Sequence, residues 1–242
     1  MNLRRASWTL AVMLMIDLVG CATQSIAPPP DFAAPVIIPP AIAIPNPPSN
    51  TQVAPPKPAP QIIRGRVVID PGHGGKDPGA QIPGLNEESL NLAVSRAVAR
   101  RLSERGVTVV LTRNSDVFIE LADRAAAGSH ADLFVSIHAD SNPSPDKIGH
   151  SIILPQSGDR RATEAGRYID RQMAAAGSPS HIVRMDNRGL LVLRQARCPA
   201  ILIELGFLSN RTEAARLASP AYQERLAQGI ADGILTYLAN RR

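Results

Sequence analysis

Val67-Val68-Ile69-Asp70-Pro71-Gly72-His73 is a short apolar run that ends abruptly in an acid, a turn and an imidazole. Two later stretches share this design. Residues 133–137 lead into His138-Ala139-Asp140, and Ile201-Leu202-Ile203 leads into Glu204. In open α/β sheets the carboxyl ends of the strands line the ligand crevice, so positions 73, 138 and 204 are expected to converge there. A carboxylate or imidazole in that setting is costly unless it is paired, hydrogen-bonded or bound to a metal.

Working outward, Leu90, Val94, Ala97 and Leu102 recur at helical spacing, and Gly106 supplies a stop. Residues 107–111 read as a second strand, 119–127 as a short helix, and 152–154, 190–193 and 200–203 as further strands, with helices near 160–175 and 221–239. This alternation predicts an α/β fold, a single domain over residues 61–242 with a twisted, mostly parallel sheet of about six strands flanked by helices.

The first quarter of the chain is different. Thirteen of the 22 prolines fall between Pro28 and Pro60, and residues 22–60 carry only Asp31 and Lys57 as charges. Such a segment cannot collapse into a core and is expected to be an extended tether. Ahead of it, Arg4 and Arg5 precede an apolar run over residues 8–20, interrupted by Asp17, which is too short for a bilayer span and reads as an export signal. Its end, Leu18-Val19-Gly20-Cys21, resembles the lipobox of bacterial lipoproteins, whose cysteine takes the lipid; ordinary cleavage after Ala22 is the alternative. The resemblance implies a signal peptide over residues 1–21, a membrane anchor at Cys21 and a place in the cell envelope. Ala22 lacks the sorting acid of inner-membrane lipoproteins, so the expected site is periplasmic, at the outer membrane.

Composition narrows the partners. A net charge of +5 suits an anionic partner, but one Trp, three Tyr and four Phe are too few for a base- or sugar-stacking module. With no zinc-finger or basic-zipper pattern either, nucleic acid is not expected as a partner. Two cysteines do not make a disulfide framework.

The glycines around His73 permit tight turning, yet neither phosphate-binding glycine motif occurs. Asn86-Glu87-Glu88 opens the first periodic helix, and by themselves both acids read as helix-start charges. Two histidines and a carboxylate also suit zinc with a coordination position open to water. A serine hydrolase lacks its G-x-S-x-G elbow here, and a zinc endopeptidase its H-E-x-x-H.

The run from Asp70 to Ala80, then Glu87, Thr112-Arg113 with Asp116, Ser136 to Asp140, and Pro199 to Glu204 with Gly206 to Asn210 together resemble the zinc-dependent N-acetylmuramoyl-L-alanine amidases of the Amidase_3 (AmiC-like) family. The match spans residues 66–240, in order. It implies that His73, Glu87 and His138 hold Zn²⁺ and that Glu204 is the catalytic acid and base. Glu87 is chosen over Glu88 by its spacing from Gly84 and Asn91, which leaves Glu88 on a solvated helix face. The implied reaction is hydrolysis of the amide between N-acetylmuramic acid and the L-alanine of the stem peptide, with peptidoglycan as substrate. The alternative is a catalytically inactive, zinc-containing, peptidoglycan-binding lipoprotein.

Other residues take secondary readings. Asp70, Asp77 and Asp140 are candidates to orient a ligating imidazole. Arg113, Asp116 and Arg124 match the family pattern and are expected to brace the site by ion pairing. His130, His150 and His181 match no motif, and Cys198 reads as a buried thiol. Arg96, Arg100, Arg101 and Arg105 form a basic helix face able to attract the anionic wall. The segment between His138 and Glu204 leaves no room for the extra inhibitory helix of some division-associated relatives, which predicts a constitutively open site; any activator protein is unknown. Residues 149–152 lack the aromatics often seen in the corresponding strand.

Overall fold

A computed structural model describes residues 62–241 of the protein, Pro143 excepted; the expected signal segment with Cys21 and the tether lie outside the described residues. The chain enters through β1 (Arg66–Pro71) and forms a small hairpin, β2 (Gln81–Ile82) and β3 (Leu85–Asn86), that delivers it to α1 (Glu87–Ser103). It continues through β4 (Thr108–Leu111), α2 (Leu121–Ala127), β5 (Leu133–Asp140), β6 (His150–Leu154) and α3 (Arg160–Ala175). After β7 (Ser180–Met185) come α4 (Leu191–Gln195), β8 (Ala200–Phe207), α5 (Arg211–Leu217) and the closing α6 (Pro220–Asn240).

The main sheet has six strands in the order β4-β1-β5-β8-β6-β7. The four from β4 to β8 run parallel, β6 is antiparallel to β8, and β7 is parallel to β6. Alternation along each strand serves both faces, because successive side chains point opposite ways. Val67, Ile69, Val135 and Ile203 pack toward α1, α3 and α6, while Val68, Phe134 and Leu202 pack toward the layer that holds Val192 and Leu193 of α4. The buried isoleucines, leucines and phenylalanines of these strands each contribute about 1.5–3 kcal/mol by leaving water. That double coverage explains why the central strands read as continuous apolar runs.

Helix α1 follows its expected spacing, burying Leu90, Val94, Ala97, Val98 and Leu102, with Glu87 and Glu88 in its first turn and Arg100 and Arg101 in its last. Both charge sets complement the helix dipole. Helix α6 crosses α3 closely at Gly233, where an added Cβ would lie 2.5 Å from the Ile169 Cα. Among the described residues no helix is long and apolar enough to cross a membrane.

Two expectations for the region before β8 are corrected. Residues 190–193 are not a strand. The Asp186 carboxylate accepts hydrogen bonds from the backbone N–H of Arg188 and of Leu190, and this turn feeds the apolar run into α4, which lays Val192 and Leu193 on the sheet. The sixth strand is instead β7, an edge strand so largely exposed that its sequence lacks the buried apolar run that signals a strand. Helix α5 was also not expected; its N-cap is the Asn210 side chain, which accepts from the Glu213 N–H.

Candidate metal centre

The site is assembled where β1, β5 and β8 end. Beyond Pro71 the backbone turns sharply, and His73 sits in the left-handed region at φ 60°, a conformation that costs a non-glycine residue on the order of 1 kcal/mol or more. Two buried arginines hold it there. Arg124 donates to the carbonyls of Pro71 and His73, and Arg113 donates to those of Pro71, Gly72 and Glu88. Beneath them Asp70, fully buried, accepts from Thr112 Oγ1, Ser136 Oγ and Arg124 Nη1. Asp70 is thus spent on the scaffold. Arg113 braces mainly through carbonyls, and Asp116 accepts from the Gly75 N–H.

Glu87 enters from the first turn of α1. One carboxylate oxygen, Oε2, accepts from the Ala80 N–H at 2.9 Å; the other, Oε1, accepts from the Ala139 N–H at 3.1 Å and from Asn91 Nδ2 at 3.3 Å. His138 closes the group from β5, just before the ladder with β8 shifts register. Gly72 passes beneath its ring so closely that an added Cβ would lie 2.3 Å from His138 Cε1.

His73 Nε2 and His138 Nδ1 each lie 3.1 Å from Glu87 Oε1, and one ligand atom from each of the three residues falls within 4.8 Å of the other two. Asp77 Oδ2 lies 2.8 Å from His73 Nδ1. A carboxylate can only accept, so a proton is assigned to Nδ1, which leaves Nε2 as the nitrogen that faces the cluster and would give up its proton to bind an ion. Of the three aspartates considered from sequence, Asp77 is therefore the one that orients an imidazole. Burial disfavours the charged His73 ring, but Glu87 and Asp77 outweigh it and lift the pKa to about 9. Burial likewise opposes the Glu87 carboxylate, and the two histidines override it, holding the pKa far below the usual range. Two imidazoles and one such carboxylate fit a borderline divalent cation with room for further ligands.

Glu204 stands beside this cluster, paired in register with His138 across β5 and β8. Among the described residues no hydrogen bond holds its carboxylate, and Arg188 Nη2 approaches Oε1 at 3.7 Å. Burial pushes its pKa up to about 7; His138 and Arg188 pull against that, and Asp140 and Glu87 reinforce it. The cluster and Glu204 share one cleft of about 300 Å³, walled by Phe118, Ile119 and Leu121 and by Leu190, Leu191 and Val192.

The remaining candidates lie elsewhere or act differently. Glu88 is half-buried rather than solvated, with Oε2 lacking a hydrogen bond and Arg113 Nη1 at 3.8 Å. His150 is a buried strut between Asp170 Oδ1 and Ser178 Oγ, at 3.0 and 3.1 Å. His130 and His181 are exposed outside the cleft. Burial raises the Cys198 thiol to about 11, which makes it a poor nucleophile. Arg188 was missed from sequence, because Asn187-Arg188-Gly189 reads only as turn composition.

Comparison with known proteins gives the family and the fold. A family model described as N-acetylmuramoyl-L-alanine amidase, Amidase_3, matches residues 67–236. The N-acetylmuramoyl-L-alanine amidase AmiC of Neisseria meningitidis is 34% identical over 74% of this chain and 55% of its own length, so the chain spans about half of that relative. Among solved structures, an N-acetylmuramoyl-L-alanine amidase from Clostridium difficile 630 aligns with a TM-score of 0.70 at 32% identity, over 74% of this chain and 99% of that one. The catalytic domain of CwlV from Bacillus (Paenibacillus) polymyxa aligns with a TM-score of 0.67 at 38% identity, over 72% and 98%. Those chains consist almost wholly of the unit described here, so the unit folds alone in these relatives. By the family match, the order of its strands and the cluster at their ends, this chain belongs to the Amidase_3 family.

Proposed function

We propose that the domain is a zinc-dependent N-acetylmuramoyl-L-alanine amidase that cuts the amide joining the lactyl group of N-acetylmuramic acid to the L-alanine of the peptidoglycan stem peptide. The observation that carries this reading is the approach of His73 Nε2, Glu87 Oε1 and His138 Nδ1 to one another beside Glu204. Those three atoms would hold the ion, which when bound polarises the scissile carbonyl and lowers the pKa of the attacking water towards about 7.

The protein's own groups do the rest. Asp77 keeps the His73 proton on Nδ1, and the Arg113 and Arg124 hydrogen bonds keep the loop from relaxing. Glu204, free of hydrogen bonds and with a pKa near neutrality, takes a proton as water adds to the carbonyl carbon. It returns that proton to the amide nitrogen as the C–N bond breaks, leaving a lactyl carboxylate and a free alanine amine. An inactive wall-binding protein is less well supported, since it has no use for a buried, unbonded carboxyl at this place. Helix α3 packs against α6 and β6 rather than over the cleft, which supports a site open without an activator.

We further place the mature protein at the periplasmic face of the outer membrane, lipid-anchored through Cys21 with residues 22–60 as its leash. Incorporation of labelled fatty acid into the wild type, and its loss in Cys21→Ser, tests that placement. The amidase reading is tested by digesting purified sacculi with residues 61–242 and identifying the products by mass spectrometry. Glycan strands bearing free lactyl groups and peptides starting at L-alanine are expected; cleavage of any other bond overturns it.

A further inference from the structure

The sequence singles out the arginines of α1 as a basic face, but the fold neutralises much of it. Arg100 and Arg101 both grip Glu224 on α6, at 2.7 and 2.9 Å, and Arg96 is bound to the Asn114 side chain and carbonyl. Uncommitted positive charge clusters on α3. Arg160, Arg161, Arg167 and Arg171 are all exposed, and none forms an ion pair or a side-chain hydrogen bond among the described residues. Spacings of seven and four put Arg160, Arg167 and Arg171 along one stripe of the helix, with Arg161 flanking it.

That stripe borders a concave surface between α3 and the end of α6, of about 720 Å³, where Arg241 adds a fifth guanidinium and Glu164 is the only acid among the described residues. Arg241 is tied to Asp132, which also attracts Arg161, so among the described residues Arg160, Arg167 and Arg171 are the ones left without an acid from another element. Asp132 immediately precedes β5, whereas His138 lies near that strand's other end. A strand rise of about 3.3 Å per residue therefore puts the groove roughly 20 Å from the metal centre, at the opposite pole of the sheet. The first described residues lie at this same pole, where the Arg64 carbonyl accepts from Arg241 Nη2.

We infer that this groove is a docking surface for an anionic phospholipid bilayer, with guanidiniums of α3 contacting lipid phosphates while the cleft faces away from the membrane. Guanidiniums suit phosphate through paired N–H donors. Desolvating an uncommitted arginine against a phosphate breaks no existing pair. The position also fits a flat partner, since a surface seated at this pole leaves the cleft clear. This contact is separate from an acyl anchor and independent of turnover, so its failure and that of the amidase reading are distinguishable.

The test uses residues 61–242, the unit that folds alone in the solved relatives, which removes any acyl chain and the apolar leader. Sedimentation is measured with vesicles of phosphatidylcholine alone and with about one quarter phosphatidylglycerol. Binding to the anionic vesicles only, released by salt of about 0.5 M as screening shortens, is the expected result. Arg167→Gln/Arg171→Gln should weaken it on the order of 25-fold, at roughly fivefold per arginine near such a surface, with sacculus digestion unchanged. Equal sedimentation with both vesicle types, or undiminished binding by the double variant, overturns the proposal. So does capture by a soluble polyanion such as lipoteichoic acid with no binding to vesicles, which would point to a polymer in place of a membrane.

Discussion

His138 and Glu204 are register partners on adjacent parallel strands, β5 and β8, and the two side chains do different things at the same level of the sheet. The His138 ring turns Nδ1 toward Glu87, while the Glu204 carboxylate stays free of hydrogen bonds beside it. The sheet thereby fixes the distance between the proposed ligand group and the proposed proton-transfer group through backbone hydrogen bonds, without a direct bond between them.

Glu204→Gln should abolish turnover, by about 10²-fold to 10⁴-fold for loss of a general base, while zinc binding persists. The same variant carries a stability signature. In the metal-free domain the Glu204 pKa is raised to about 7, so the folded state holds a proton that the unfolded chain releases near its ordinary value. Stability therefore falls as pH rises between those values, and the full cost of the buried charge is present above them. Thermal denaturation at pH 8 should find metal-free Glu204→Gln more stable than wild type by on the order of 3 kcal/mol, with the difference vanishing near pH 4. Equal stability at both pH values contradicts the assignment.

The acid limb of the rate profile follows from the same carboxyl, which must be ionised to accept a proton. With the proposed zinc bound nearby and lowering its pKa, kcat/KM should decline on the acid side with an apparent pKa between an ordinary glutamate's and about 7. A profile flat from pH 4 to 8, measured with soluble muropeptide, excludes Glu204 as the base.

Asp77→Asn keeps the size of the side chain but weakens its hold on His73 Nδ1. Zinc affinity should drop about 10-fold to 100-fold, as for other partners that orient a ligand. Competition with a chromophoric chelator measures this directly; an unchanged dissociation constant shows that Asp77 is not an orienting group.

Gly72→Ala drives a methyl group into the His138 ring and should cost about 1–3 kcal/mol together with most of the zinc affinity. Gly84→Ala is the control. Its backbone is at φ +82° with no neighbouring atom within 4 Å, so only strain of about 1–2 kcal/mol is expected and the metal site should survive. If both variants bind zinc alike, close packing of the loop on His138 is not what shapes the site.

Asp70→Asn strips the buried Arg124 guanidinium of its carboxylate. Removing one member of a buried pair typically costs about 3–5 kcal/mol, and here the loss sits directly beneath the His73 loop. Denaturant unfolding should show that destabilisation. A change under about 1 kcal/mol means that the neutral amide satisfies Arg124, Ser136 and Thr112 equally well.

Sequence alone determined what local chemistry can determine. Strands buried on both faces must be continuously apolar, so β1, β5 and β8 were legible, and with them the polar residues at their ends. Periodic burial exposed α1 and α6, and the motif order carried the family. Tertiary structure decided whatever depends on what a segment touches. The apolar run at 190–193 became helix because a turn built on Asp186 laid it across the sheet, and β7 escaped notice because an edge strand buries little. Asp77 could not be told from Asp70 and Asp140 by spacing, for each is an acid near a histidine and only geometry shows which imidazole nitrogen it reaches. The arginines divided in the same way: a charge counts as free only when no partner from another element meets it, and Glu224 meets Arg100 and Arg101 of α1 while no acid among the described residues pairs with Arg160, Arg167 or Arg171 of α3.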